Sequence, residues 1–170
     1  MKHSPKPHSY FTSPTLGKLS LDQVISQIIS YLADDPKSSY RLVIGSDSQA
    51  KLIDHQKLTN FVSAIVVHRI GKGGRYFWQN GLIIKTHSLR EKIYKETTLS
   101  LELASKLVPK LNRKLNGTKN WELEIHIDVG RIGETRNMIK EVVGMVVGNG
   151  YTAKTKPESY AASSIADKHT

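Results

Sequence analysis

Two apolar runs in this chain each end on an aspartate, and few folds accept both. The runs are Arg41-Leu-Val-Ile-Gly-Ser-Asp47 and Leu123-Glu-Ile-His-Ile-Asp128. Their β-branched content and length read as strands. A carboxylate at the end of a buried strand is costly unless it is hydrogen-bonded, ion-paired or bound to a cation. Open α/β sheets gather such strand ends around a crevice outside their carboxyl edge, which is where their sites form. Two more acids are candidates for the same crevice. Glu96 lies early in a long helical pattern, and Asp167 lies in a C-terminal helical segment with Ala161, Ala162, Ile165 and Ala166.

The rest of the chain supplies the elements such a sheet needs. Residues 1–18, rich in Pro, Ser and His, read as a mobile arm, and 19–170 as a single domain. An extra N-terminal helix is expected from the apolar spacing of Leu21, Val24, Ile25, Ile28, Ile29 and Leu32, with Ser20 and Asp22 as starters. Strands follow at about 41–47, 59–70 and 76–86, the last two joined by a hairpin at Gly71-Lys-Gly-Gly74. A helix over about 89–115 stops at Asn116-Gly117. The fourth strand, about 121–128, leads to a helix from Gly133 to Val147, a short fifth strand at about 151–155 and a last helix at about 158–169. The order is βββαβαβα.

Helical phase separates the two acids of the long helix. Leu89, Ile93, Leu99, Leu103, Leu107, Leu111 and Leu115 form one stripe. Glu96 falls within about 30° of its centre, whereas Glu102 points about 145° away and suits a solvated pair with Lys106. An acid in the apolar face needs a reason to be there, so Glu96 is the site candidate. The fourth strand alternates Glu122, Glu124, His126 and Asp128 on one face with Leu123, Ile125 and Ile127 on the other. Either the polar face is partly open to solvent, or Glu124 and His126 extend a polar site. His169, two residues after Asp167, is a further metal-capable group.

With no cysteine in the chain, disulfides and thiolate sites are excluded. A carboxylate set suits Mg²⁺ or Mn²⁺ instead. Four such acids would hold two ions, the arrangement that hydrolyses phosphodiesters. The net charge of +10 and the pI of about 9.7 favour a polyanionic partner, RNA or DNA. Lys154, Lys156, Arg131 and Arg136 flank the expected crevice and could contact phosphates. Gly130-Arg-Ile-Gly133 precedes a helix start that could hold an anion. The opening Met1-Lys-His-Ser-Pro-Lys-Pro-His8 lacks the apolar core of a secretory signal. No stretch approaches the roughly 18 apolar residues of a membrane helix. A cytoplasmic protein without membrane contact is expected.

The order of elements, with an acid at each of four stations, resembles the ribonuclease H-like fold. More specifically, four segments resemble the YkuK-like family of bacterial proteins. They are Gly45-Ser-Asp-Ser-Gln49, Leu99-Ser-Leu-Glu-Leu-Ala104, His126-Ile-Asp-Val-Gly130 and the stretch from Gly148 to Ser163. The resemblance implies an α/β fold with a mixed five-stranded sheet in the order 3-2-1-4-5, strand 2 antiparallel. It also implies catalytic and metal-binding roles for Asp47, Glu96, Asp128 and Asp167, hence a two-metal nuclease. Unlike some hybrid-cleaving relatives, this chain carries no basic insertion before its fifth strand. The alternative is a non-catalytic nucleic-acid-binding or assembly module on the same fold, since fold does not fix function.

Overall fold

The computed structural model describes residues 10–118, 120–159, 164–165 and 168–169. Among the described residues, seven strands form one sheet, with three α-helices of two turns or more. Strands β1 (Phe11–Ser13) and β2 (Gly17–Leu19) precede α1 (Leu21–Asp34), and then come β3 (Tyr40–Ile53), β4 (Gln56–Arg69) and β5 (Gly74–Ile84). Helix α2 (Leu89–Lys114), β6 (Trp121–His126), a 3₁₀ turn (Arg136–Met138), α3 (Ile139–Gly148) and β7 (Thr152–Lys154) complete the series. The sheet order is β2-β1-β5-β4-β3-β6-β7. Its last five members reproduce the expected 3-2-1-4-5 arrangement. β4 is antiparallel to β3 and β5, and β6 and β7 run parallel to β3.

Two strands exceed the expected five, and they come from the segment expected to be a mobile arm. Phe11 is 3 % exposed and belongs to the main core, so this hairpin covers the β5 edge at Thr12↔Trp78. One well-packed aromatic in a polar stretch was enough to anchor it, a contact that composition does not reveal. Residues 1–9 lie outside the described residues.

The β3–β4 ribbon is also longer than expected, with pairing from Tyr40↔Arg69 out to Ile53↔Gln56. A two-residue turn at Asp54 and His55, both with positive φ (48° and 63°), closes it. Asp and His tolerate that region better than β-branched residues do. The added pairing lies between the strands expected at about 41–47 and 59–70, where residues 49–57 are mostly exposed.

Local signals fix the helices. Ser20 caps α1 through a reciprocal box with Gln23, at 3.1 and 2.8 Å. Ser88 caps α2 by accepting from the Glu91 amide at 3.1 Å. Helices α1, α2 and α3 share one core with Leu42, Ile44, Ile65, Phe77, Ile125 and Ile127. The opposite sheet face carries Val43, Val66, Val62 and Ala64, with Ile165 of the C-terminal segment against them. α3 begins at Ile139 rather than Gly133, because the 3₁₀ turn intervenes. The proposed anion nest at Gly130–Gly133 is therefore not at a helix start. The Gly130 amide donates instead to Thr135 Oγ1 at 3.1 Å. Among the described residues, no helix is long and apolar enough to cross a membrane.

Candidate active site

β6 pairs with β3 only as far as Gly45↔His126. Beyond that point the two strands part, and the side chains of residues 46–48 reach the gap from both faces of the sheet. Ser46 and Ser48 face α2, and Asp47 faces the other way. Asp128 follows β6 at the same edge. α2 starts at this end of the sheet, which brings Glu96 beneath β3 in its second turn.

Glu96 is 5 % exposed. Ser48 Oγ donates to its Oε1 at 2.6 Å. Burial pushes the Glu96 pKa from 4.5 up to about 8, partly offset by the Ser48 bond and raised further by the charges of Asp47 and Asp128. The three carboxylates therefore sense one another. The helical phase assignment holds: Glu96 is buried and Glu102 is exposed.

Asp128 is half-buried, and its Oδ1 lies 2.8 Å from the Nζ of Lys156. Asp47 Oδ1 accepts from the Ser48 amide at 2.9 Å. Lys156 was expected to touch phosphates; here its ammonium is the counter-ion of the cluster. Its pKa is raised, first by the bond to Asp128 and then by the charges of Asp128, Asp47 and Glu96, against the cost of burial. A pocket of about 550 Å³ adjoins this pair, lined by Gly130, Arg131, Ile132, Thr155, Lys156 and Pro157. Arg131 is exposed at its rim. Arg136 is exposed in the 3₁₀ turn, and Lys154 is half-buried on β7.

His169 does not join this group. Asp167 lies outside the described residues. His169 stacks flat on Trp78 of β5, ring centroids 3.7 Å apart and 6° from parallel. That strand is separated from β3 by β4, and burial there lowers the His169 pKa. Among the described residues, no three His, Cys, Asp or Glu side chains converge closely enough to hold a metal ion.

His126 belongs to a separate cluster. Its Nε2 lies 2.9 Å from Glu124 Oε2, and Arg41 Nε lies 3.2 Å from Glu124 Oε1. Burial lowers the His126 pKa against the opposing pull of Glu124. The polar face of β6 is thus closed at Glu124 and His126 and open at Glu122.

A line of buried hydroxyls escaped the sequence reading. Ser46 Oγ and Ser63 Oγ lie 2.8 Å apart, and Ser100 Oγ donates to Ser46 Oγ at 2.9 Å. A signal was present. Ser46 and Ser48 alternate on β3, and Ser100 stands four residues after Glu96 on the same helix face.

The donor set is consistent with a hard divalent ion. All three acids offer oxygens, and the structure already seats a cation, the Lys156 ammonium, on Asp128. The family model described as ribonuclease H-like matches residues 23–170. A Bacillus subtilis (strain 168) protein named "Uncharacterized protein YkuK" is 34% identical over 163 residues, covering 91% of this chain and 92% of that one. No solved structure matches the chain. With sheet order, site edge and both comparisons in agreement, the chain belongs to the ribonuclease H-like family, in its YkuK-like branch.

Proposed function

We propose that this protein is a divalent-metal-dependent nuclease that hydrolyses phosphodiester bonds in RNA or DNA. The observation that carries the reading is the grouping of Asp47, Glu96 and Asp128 at the parting of two parallel strands, where burial and the two aspartates raise the Glu96 pKa. Acids that perturb one another at a sheet edge mark a candidate functional site.

In this reading Asp47 and Asp128 hold two Mg²⁺ or Mn²⁺ ions, with Glu96 contributing from α2 and Asp167 as the fourth ligand. Such ions, when bound, activate a water and stabilise the charge developing on the phosphate. The chain supplies the rest. Ser48 orients the Glu96 carboxyl, and the partly buried floor limits water. Arg131, Arg136, Lys154 and Lys156 offer positive charge along the rim to position a phosphate backbone. The net charge of +10 supports the same partner.

The test is cleavage of labelled single-stranded, duplex and hybrid substrates with and without Mg²⁺ or Mn²⁺. Divalent-dependent cleavage that Asp128→Asn abolishes is the expected result. A second reading, a nucleic-acid-binding module without catalysis, draws on the lack of a preformed three-ligand group among the described residues. Salt-sensitive binding with no cleavage under any metal would favour it.

A further inference from the structure

The carboxylate group carries a cation of its own. Lys156 reaches Asp128 from the start of the segment after β7, and the backbone fixes its root: the Lys156 amide donates to Val129 O at 2.8 Å. Gly130 leaves room for the stem, since a Cβ there would stand 3.3 Å from Lys156 Cβ and 3.6 Å from Cδ. The ammonium then lies on Asp128 Oδ1 at 2.8 Å. The Lys156 side chain is 56% exposed, which leaves it a path into solvent and over the neighbouring pocket. A divalent ion on the Asp128 carboxylate would come within a few Å of this ammonium, whichever oxygen it takes. Holding both there brings like charges together.

We propose that Lys156 is a displaceable internal cation: it holds Asp128 in the metal-free protein, and a hard divalent ion must push its ammonium off Asp128 in order to bind. The inference rests on the divalent-ion reading above and adds to it a competitor for the ion at Asp128. Once displaced, the ammonium lies beside Arg131, where a phosphate gives it a new partner. Polyanion binding and metal binding therefore strengthen each other, and linkage requires the effect to be reciprocal.

Mn²⁺ binding without substrate, read as loss of the free-ion signal in electron paramagnetic resonance, tests this independently of activity. Lys156→Met keeps the stem and removes the charge, and should tighten Mn²⁺ binding by about five- to tenfold. Lys156→Arg keeps the charge and should bind no tighter than the parent protein. Lys114→Met, at the far end of α2, controls for net charge and should change little. If the parent binds Mn²⁺ and Lys156→Met binds it equally or more weakly, the displacement is wrong and the metal site stands. Tightening by Lys156→Arg as strong as by Lys156→Met would overturn it as well. Absence of binding in both the parent and Lys156→Met at millimolar Mn²⁺ would overturn the displacement and the metal reading together.

Discussion

Glu124 and Asp128 lie four residues apart, yet they belong to polar clusters of opposite character. Glu124 is answered on both oxygens, by Arg41 at 3.2 Å and by His126 at 2.9 Å. Its cluster is closed, with His126 6 % exposed and kept neutral by burial. Around Asp128 like charges come together: Asp47 and Asp128 both raise the Glu96 pKa, while the Lys156 ammonium lies on Asp128 and Lys92 acts on Glu96. Burial is the largest cause of the Glu96 shift. A buried acid paired with unlike charges is structural, whereas acids brought within reach of one another suit a site for a cation. The crowding of like charges, rather than burial alone, separates the two.

The widest predicted gap between the clusters is in metal response. Asp47→Asn and Asp128→Asn should each cost about 100-fold or more in divalent-dependent cleavage. Each should also abolish the rise in melting temperature that Mn²⁺ gives the parent protein. Glu124→Gln should leave that rise intact. Thermal melts with and without Mn²⁺ decide it, and equal shifts in all three variants would erase the distinction.

The next effect is on pH. The pKa of Glu96 is raised on folding from 4.5 to about 8, so the folded protein holds this proton more tightly than the unfolded chain. The stability it contributes is fully present below about pH 4.5, falls as pH rises through the window, and is lost above about pH 8. Glu96→Gln should remove this slope, and by pH 9 should be the more stable protein by up to several kcal/mol. Urea unfolding at pH 5, 7 and 9 measures it. A parent protein and variant with parallel profiles would mean that Glu96 carries no trapped proton.

Glu124→Gln should act in the opposite sense. It removes the charge that answers Arg41 and weakens the bond to His126, for a loss of about 1–3 kcal/mol in the same unfolding assay. A gain in stability would mean that Glu124 is not matched by its partners. The smallest effect is expected at Glu102→Gln, below about 0.5 kcal/mol, because that side chain is exposed. A larger change there than at Glu96 would mean the apolar stripe of α2 faces another way.

The order of strands across the sheet followed from the family resemblance; the sequence by itself determined the strands and helices from α1 to β7 and which of Glu96 and Glu102 is buried. Each of these is a periodicity: alternation on strands, or a stripe at helical spacing, set by local backbone geometry and burial of one face. The same periodicity placed Glu124 and His126 on one face of β6, but not what answers them. Long-range pairing lay beyond it. Thr12 of the N-terminal hairpin pairs with Trp78, 66 residues later (78 − 12), and Arg41 meets Glu124 across parallel strands. Asp128 meets Lys156 because Val129 O holds the Lys156 amide and Gly130 clears the way for its stem. Only tertiary structure decided these contacts. The pairing of two charges distant in sequence follows from which strand ends the sheet brings together, and no local pattern encodes that distance.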